Sequence, residues 1–433
     1  MKICKYTDSD YQAVVEALEN RSNMDLFTHD ETVRNILKDV KENGDVALLE
    51  YTHRFDCHNL PREKLKVTPE EIRQAYEGVN DKELLALKQA AERIHAFHEC
   101  QKQESWQYEK EGITLGQMVR PLATAGIYVP GGKASYPSSV LMNAIPAKVA
   151  GVERVVMCSP FPEGQTRPHV LVAADIAGVT EIYKVGGAQA VGSMAFGTAT
   201  LPRVDKIVGP GNIYVALAKR LVFGIVDIDM IAGPSEILIV ADRSANPAYV
   251  AADLLSQAEH DEEAIPILVT PEESLAREVV AELERQKSTL DRQAIMDVSL
   301  NTQCRLLVTE SLEAAVDLAN RFAPEHLELA LEDPEYWVAK IRNAGALFLG
   351  HFTPEAIGDY LAGPNHVLPT SGTARFSSPL GVYDFIKRTS LISYSQLALE
   401  KCCENVTLLA EMEDLGAHAN SVKLRVQQAG KKS

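Results

Sequence analysis

A candidate metal-binding pair lies within residues 253–260, a segment with helical character. Gln257 and His260 are three positions apart, so they would share one face of a helix. An imidazole nitrogen and an amide oxygen can both coordinate a Zn²⁺-like ion, although glutamine is an unusual ligand. Taken alone, such a pair is most often solvated or packed in a core, so the metal hypothesis depends on the rest of the chain.

Two further groups of candidate residues follow residue 320. Glu325 and His326 are adjacent, and Asp359 and His366 lie among glycines. We expect both groups in loops at the strand ends of an α/β fold, where chemistry concentrates. A Glu-His dipeptide after proline is by itself most often incidental, so the fold must decide its role.

Four glycine-containing loops lie between residues 126 and 236, at 126–132, 185–190, 207–212 and 231–236. Each follows a plausible strand, and we expect each to precede a helix. Glycine there lets backbone N–H groups approach a phosphate, and a helix N-terminus favours negative charge, which suits a dinucleotide. None of the four completes G-x-G-x-x-G, so tight turns in an α/β sheet remain the alternative.

The elements that would position these residues alternate between helices and strands. Apolar residues at helical spacing from about residue 30 to residue 56, broken at Gly44, predict a helical hairpin. Val-Thr-Pro-Glu-Glu at 67–71 predicts a helix that begins with a capping box, and the same five residues recur at 269–273. A further strand and a helix at 311–321 complete the pattern of a parallel α/β sheet.

The composition is that of a globular protein, since 46% of the 433 residues are apolar and 24% are charged. The length favours two domains with appendages. A net charge of −17 disfavours nucleic acid and anionic membranes as partners. The chain begins without an apolar signal segment, and no run approaches the roughly 20 apolar residues that span a bilayer, so we expect a cytoplasmic protein.

The seven cysteines are an odd number without a C-x-x-C motif. This pattern indicates reduced thiols rather than a disulfide or thiolate–metal framework. Any bound metal must therefore use histidine, aspartate, glutamate or glutamine side chains.

The C-terminal part has a composition of its own. Residues 372–380 are rich in glycine, serine and proline and predict a linker, after which an amphipathic tail carries Glu413 and His418. A tail of about 50 residues is too small to bury a core alone. We therefore expect it to dock on another surface.

Together these segments resemble the histidinol dehydrogenase family from end to end. The blocks that carry the resemblance, in the order that the family shows, are Ser-Gln-Ala-Glu-His at 256–260, Pro-Glu-His at 324–326, Gly-Asp-Tyr at 358–360, Asn-His-Val-Leu-Pro-Thr at 365–370 and Ala-His at 417–418. The four glycine-containing loops are similar to that family's NAD- and substrate-contacting loops.

The resemblance implies an α/β fold with two Rossmann-like, aldehyde-dehydrogenase-like parallel-sheet domains and a small helical tail domain. The implied parts are an N-terminal helical extension at 1–23, a first domain at 24–125 and 237–378 with the catalytic and metal residues, an NAD-binding second domain at 126–236, and a tail at 379–433. The family forms a homodimer in which each tail reaches the partner subunit and completes its active site.

The resemblance also implies the reaction, a zinc- and NAD-dependent four-electron oxidation of L-histidinol to L-histidine. It would pass through enzyme-bound L-histidinaldehyde and would be the last step of histidine biosynthesis. The implied ligands of the one zinc ion per subunit are Gln257, His260, Asp359 and His418. These would leave coordination positions open for the imidazole and amino nitrogens of the substrate.

The remaining site residues are carried over in the same way. The implied NAD contacts are Tyr128, Gln189 and Asn212. Substrate contacts would come from the four zinc ligands and from Ser235, His326, His366 and Glu413.

The expected mechanism uses an imidazole and a carboxylate. His326 would accept the alcohol proton, because imidazole titrates near neutral pH. Glu325 would activate the water that hydrates the aldehyde. A thiol nucleophile is not expected, since none of the seven cysteines lies in a motif named above.

Three alternative functions remain open on the sequence. A relative with the same zinc and NAD machinery could oxidise another small alcohol, although Glu413 and His418 in the tail favour histidinol. A zinc hydrolase would use Glu325 to activate water, with purely structural glycine loops. The third alternative is a non-catalytic metal- or nucleotide-binding protein.

Overall fold

Mostly apolar strands, nearly all of them followed by a helix, form two parallel sheets, because strands with two covered faces carry apolar residues throughout. The computed structural model describes residues 1–21, 28–57, 59–131 and 136–429. The chain divides into a first unit, Met1–Gln101 with Leu122–Phe385, and a second unit, Lys102–Pro121 with the chain from Ile386 onward.

The strands of the described residues are β1 (Lys2–Lys5), β2 (Trp106–Lys110), β3 (Ile113–Pro121), β4 (Thr124–Tyr128), β5 (Arg154–Cys158), β6 (Glu181–Tyr183), β7 (Lys206–Val208), β8 (Asp227–Ile228), β9 (Glu236–Ala241), β10 (Ile265–Thr270), β11 (Arg305–Val308), β12 (His326–Ala330), β13 (Ala346–Leu349) and β14 (Ile386–Tyr394). The first unit holds a six-stranded parallel sheet in the order β1-β11-β10-β9-β12-β13 and a five-stranded parallel sheet in the order β6-β5-β4-β7-β8. The predicted α/β class with two parallel sheets is confirmed.

The helices are α1 (Tyr11–Glu19), α2 (Asp30–Asn43), α3 (Asp45–Asp56), α4 (Pro69–Glu77), α5 (Asp81–Glu99), α6 (Pro137–Ala150), α7 (Pro168–Ile176), α8 (Gly187–Phe196), α9 (Ile213–Val222), α10 (Pro247–Ala258), α11 (Glu273–Lys287), α12 (Gln293–Thr302), α13 (Leu312–Phe322), α14 (Pro334–Val338), α15 (Glu355–Tyr360), α16 (Gln396–Met412) and α17 (Gly416–Ala429). Among the described residues, none of these helices has the length and apolarity needed to cross a bilayer.

The predicted helical hairpin is confirmed as α2 and α3, separated by Gly44 at a positive φ of 54°. The hairpin packs on the five-stranded sheet rather than on the six-stranded one, since Leu37 and Val40 lie in one apolar cluster with Val156 and Val191. The segment 1–23, predicted as a helical extension, contains α1 and also β1, which pairs with the sheet edge at β11. Residues 22 and 23 lie outside the described residues.

The two Val-Thr-Pro-Glu-Glu junctions fold differently. Thr68 and Glu71 form the predicted capping box at the start of α4. The prediction is wrong for the second junction, where Thr270 is the last residue of β10 and α11 begins only at Glu273. Thr270 remains paired with Val308 of the neighbouring strand, so its hydroxyl accepts the N–H of Glu272 in a turn instead of capping a helix.

The fourth glycine-containing loop also departs from the prediction. The first three precede α6, α8 and α9, but the loop at 231–236 leads into β9. The reason is that Glu236 pairs with Ile265 of β10, so the chain continues along the sheet. Gly132, the end of the first loop, lies outside the described residues.

The predicted linker at 372–380 is anchored to the first unit. It contains a 3₁₀ turn at Thr373–Arg375, and the buried Leu380 donates its N–H to the carbonyl of Val367. The chain re-enters the second unit at Ile386, where β14 pairs with β3 in a three-stranded antiparallel sheet, β14-β3-β2. Helices α16 and α17 follow in the same unit.

The helical part of the second unit buries few residues. Ala398, Thr407, Ala410 and Ala419 are buried. Larger apolar side chains remain exposed on α16 and in the turn after it, namely Leu397, Leu408, Leu409, Met412 and Leu415. This agrees with the expectation that the tail cannot form a core of its own.

Candidate active site

The site begins at the C-terminal end of α10, which Asn246 caps at its other end. Gln257 is fully buried, and neither atom of its amide has a hydrogen-bond partner among the described residues. His260 lies just beyond the helix, held by its N–H donating to the carbonyl of Gln257 at 3.2 Å. A buried amide without partners costs about 1–3 kcal/mol, so Gln257 points to a ligand.

Helix α15 adds two carboxylates. Glu355 and Asp359 are four residues apart on this helix, which places them on one face. Ligand atoms of His260, Glu355 and Asp359 all lie within 4.8 Å of one another, and His260 Nε2 is 4.0 Å from Asp359 Oδ2. The expectation that Asp359 lies in a loop is wrong, because Glu328 accepts the first N–H of α15 and so anchors a short helix there.

These donors fit a divalent cation. An imidazole, two carboxylates and an amide without a partner are borderline or hard ligands of the kind that Zn²⁺ accepts. Ser256, next to Gln257, donates to Glu355 Oε2 at 3.2 Å and so connects α10 with α15. Burial raises the pKa of Glu355 to about 8, and the Asp359 carboxylate acts in the same direction. A cation would oppose that shift by favouring the ionised form.

His326 is the first residue of β12 and is held by the backbone of β9. Its Nδ1 lies 2.9 Å from the carbonyl oxygen of Glu236. A carbonyl only accepts, so Nδ1 carries the proton and Nε2 of the neutral ring keeps its lone pair. Nε2 is buried and has no hydrogen-bond partner in the described part of the chain. Burial lowers the pKa of His326, which favours the neutral ring.

Glu325 uses the same anchor in a different way. Its Oε2 accepts the N–H of Glu236 at 2.8 Å. Burial raises its pKa well above the usual value, and the nearby carboxylates of Glu236, Glu355 and Asp359 raise it further.

The predicted loop position is correct for Glu325, which lies in a bend directly before β12. It is wrong for His326, the first residue of β12, because His326 already pairs with Ile237 of β9 and Ala346 of β13.

Glu236 is a site residue that sequence reasoning missed. Its carboxylate is fully buried and forms a two-point ion pair with Arg21, Nε to Oε1 at 2.6 Å and Nη2 to Oε2 at 2.7 Å. Ser371 also donates its N–H to Oε1 at 3.1 Å. The available signal was a lone carboxylate at the start of an otherwise apolar strand.

Glu355 was also missed in the sequence, although its chemistry matches that of the predicted ligands. Its signal was the four-residue spacing to Asp359, which becomes informative only when residues 355–360 are known to be helical. The segment is six residues long, too short for a periodic pattern to identify it.

His366 and Ser235 lie beside these groups. His366 Nδ1 is 3.0 Å from the backbone oxygen of Asp359, and its Nε2 is 3.4 Å from Ser139 Oγ. Burial lowers the pKa of His366. Ser235 directly precedes β9, and its carbonyl accepts the N–H of Ile265 at 2.9 Å.

The three predicted NAD contacts follow the carboxyl ends of strands in the five-stranded sheet. Tyr128 ends β4, and its hydroxyl accepts the N–H of Gly187 at 3.1 Å. Gln189 is buried in α8, and neither of its amide atoms has a partner within the described ranges. Asn212 caps α9 through Val215 N–H at 3.2 Å. Parallel strands end at one edge, so these loops share the location where α/β sheets bind ligands.

One glycine in this region is required by close backbone contact. Gly209 has a φ of +109°, and a Cβ there would lie 2.1 Å from the backbone oxygen of Tyr128. The loop after β7 can therefore approach the end of β4 only with glycine at this position.

The last two predicted residues lie in the second unit. Glu413 ends α16 as its C-cap, and His418 is the third residue of α17. Both side chains are exposed.

Comparison with known proteins identifies the family of the chain. The histidinol dehydrogenase family model matches residues 19–426. The chain is 55% identical to the histidinol dehydrogenase of Syntrophotalea carbinolica over 430 residues, covering 99% of this chain and 100% of the relative. It is 57% identical to that of Caldanaerobacter subterraneus over 412 residues, covering 95% and 96%.

A solved structure shows the same fold. The crystal structure of histidinol dehydrogenase from Elizabethkingia anophelis superposes with a TM-score of 0.93 at 38% identity, covering 99% of each chain. The chain therefore belongs to the histidinol dehydrogenase family.

Proposed function

We propose that this chain oxidises L-histidinol to L-histidine with two NAD⁺, through enzyme-bound L-histidinaldehyde, as the last step of histidine biosynthesis. The observation that carries the proposal is the pair of unsatisfied buried groups, the amide of Gln257, three residues before His260 of the His260–Glu355–Asp359 cluster, and Nε2 of His326. The first suits a metal ligand and the second suits a proton acceptor. Membership of the family supplies the substrate.

The proposed metal is one zinc ion per subunit, with Gln257, His260, Asp359 and His418 as ligands. The first three come from α10, the turn after it and α15 of the first unit, and the fourth comes from α17 of the second. A zinc ion bound there supplies positive charge that orients the imidazole and amino nitrogens of the substrate and takes no electrons.

In the first oxidation, His326 accepts the hydroxyl proton at Nε2 as hydride leaves the carbinol carbon for the nicotinamide. The hydrogen bond from Nδ1 to the Glu236 carbonyl supports this role, because it keeps the basic nitrogen directed away from β9. The lowered pKa of the ring keeps it neutral and ready to accept a proton.

In the second oxidation, Glu325 accepts a proton from the water that adds to the aldehyde carbon. The resulting hydrate loses a second hydride, so one water and two NAD⁺ are consumed per histidinol. The hydrogen bond from the Glu236 N–H to Oε2 fixes the carboxylate for this task. All seven cysteines are free, and the mechanism uses none of them.

The proposed NAD contacts are Tyr128, Gln189 and Asn212, supported by the unsatisfied amide of Gln189 at the start of α8. Ser235, His366 and Glu413 are proposed to contact the polar part of the substrate, together with His326 and the metal ligands.

The proposed assembly is a homodimer in which the tail of one subunit completes the active site of the other. The exposed leucines of α16 and α17 support it, since apolar side chains of this size favour contact with another surface. We place the reaction in the cytoplasm, where reducing conditions keep the seven thiols free.

The test is a stoichiometry. With L-histidinol and excess NAD⁺, we expect two NADH per substrate consumed. NADH formation is measured by its absorbance. One NADH per substrate would contradict the four-electron reaction, and hydrolysis without NADH would favour a zinc hydrolase. Chelation should abolish turnover and added Zn²⁺ should restore it, whereas full activity of the metal-free protein would remove zinc from the mechanism.

A further inference from the structure

Glu328 is a buried carboxyl group that the mechanism does not use. It lies in β12, two residues after His326, and its Oε1 accepts the N–H of Glu355 at 2.7 Å. Asp253 of α10 lies next to it, since both residues line one small cavity and, besides burial, the Asp253 carboxyl raises the pKa of Glu328. Glu328, itself in β12, therefore lies against one helix and bonds to the start of a second.

The neighbours Glu328 and Asp253 are both acids. Two ionised carboxylates repel each other, so a proton held by one of them favours their close approach. Burial raises the pKa of both groups, that of Asp253 to about 6 and that of Glu328 well above its usual value, which favours a protonated acid in the pair.

Asp253 and Glu355, the two residues that Glu328 lies against, are each about one helical turn before a proposed zinc ligand. Asp253 is four residues before Gln257 on α10, and Glu355 is four residues before Asp359 on α15. A helix of six residues such as α15 has little stability of its own, so its orientation depends on tertiary contacts. Glu328 supplies such a contact at the first N–H of the helix.

We propose that Glu328 is a positioning residue that sets the separation of Gln257 and Asp359 by holding α10 and α15 against β12. The inference rests on the zinc site proposed above. Glu328 contacts neither the metal nor the substrate in this role. It acts through Asp253 and through the backbone of Glu355.

Zinc affinity of the full-length protein tests the proposal without depending on activity. The metal is removed and Zn²⁺ is titrated in competition with a chromophoric chelator. Glu328→Leu should weaken zinc binding by about tenfold or more, since loss of groups that support metal ligands commonly weakens affinity by about 10- to 100-fold. Its KM for histidinol should rise as well.

Glu328→Gln is the conservative partner of that variant. Its amide oxygen can accept from the Glu355 N–H and its amide nitrogen can donate to Asp253, so zinc affinity should stay within about threefold of the wild type. Thr52→Val, which removes a buried hydrogen bond to Leu48 on α3, is the matched control for loss of stability. Its zinc affinity should not change.

The outcomes separate the two proposals. A wild-type protein that binds no zinc would refute the zinc site itself. Zinc binding by the wild type together with unchanged affinity in folded Glu328→Leu would overturn the role of Glu328, as would equal loss in the Leu and Gln variants. If Glu328→Leu does not fold, Asp253→Leu tests the same contact from α10, where weakened zinc binding supports the proposal and unchanged binding refutes it.

Discussion

At the scale of single residues, Glu236 determines the chemistry of two neighbours. Its carbonyl oxygen accepts a hydrogen bond from the protonated Nδ1 of His326, and its N–H donates to the carboxylate of Glu325. One peptide segment thus orients a neutral imidazole and a carboxyl group side by side. His326 offers Nε2 as a proton acceptor and Glu325 offers a carboxylate oxygen. Each group can therefore act in a different half reaction.

We predict that the two half reactions separate in variants of this pair. His326→Asn should lower alcohol oxidation by about 10²–10⁴-fold, the usual contribution of a general base. Glu325→Gln should reduce aldehyde oxidation more than alcohol oxidation, because only the second step needs an activated water. The measurement compares NADH formation from histidinol with that from supplied histidinaldehyde. Equal loss of both activities in Glu325→Gln would contradict the assigned roles.

The residue types of the site could be predicted from the sequence, but their surroundings could not. Helical spacing paired Gln257 with His260, although His260 lies in the turn after α10. The partners that tune His326 and Glu325 are backbone atoms of Glu236, about 90 positions earlier in the chain. No local pattern encodes such a contact, since any residue offers the same backbone groups.

At the scale of elements, sequence motifs predicted the structure correctly where contacts within the motif alone determine it. Thr68 caps α4 as predicted, whereas the same motif at Thr270 stays in the sheet, because pairing of β10 with β11 outweighs the cap. Asp359 was misplaced in a loop for a similar reason. The helix that carries it is fixed by Glu328, which is distant in sequence.

The ion pair of Arg21 with Glu236 gives a prediction at this scale. Arg21→Met should lower the free energy of unfolding by about 3–5 kcal/mol, because it leaves a buried carboxylate without its cation. Activity should fall with it, since Glu236 orients the proposed catalytic pair, Glu325 and His326. Thermal unfolding and turnover are the measurements.

Two further variants serve as controls for that result. Arg34→Met removes an exposed ion pair to Asp30 on α2 and should cost no more than about 0.5 kcal/mol. Adding Glu236→Gln to Arg21→Met removes the unpaired charge and should recover part of the lost stability. A double variant no more stable than Arg21→Met alone would show that the ion pair is not the cause.

At the scale of the whole molecule, the proposed zinc ligands are divided between the two units. Gln257, His260 and Asp359 belong to the first, and His418 belongs to the second. The second unit also contains β2 and β3, which lie far before the tail in the sequence and were not predicted to belong with it. Periodicity could not reveal this, because β14 pairs with a strand some 270 residues earlier.

The proposed exchange of tails between subunits predicts complementation. Gln257→Ala with an intact tail and His418→Ala with an intact body should each form an inactive homodimer, because every site lacks one ligand. In a mixed dimer with exchanged tails, the intact body of one subunit meets the intact tail of the other. One whole site and one doubly damaged site result, so about half of the wild-type activity per dimer should return.

A matched pair of variants separates exchange from any general effect of mixing. Gln257→Ala mixed with His260→Ala places both lesions in bodies, so each site of that dimer lacks a ligand whether or not tails are exchanged, and it should stay inactive. Turnover of the purified mixed dimers, each subunit carrying a different affinity tag, is the measurement. If tails fold onto their own subunits, every site in the Gln257→Ala and His418→Ala dimer also lacks a ligand. An inactive, zinc-poor mixed dimer of those two variants would therefore refute the exchange, because only a tail that reaches the other subunit can reunite His418 with an intact Gln257.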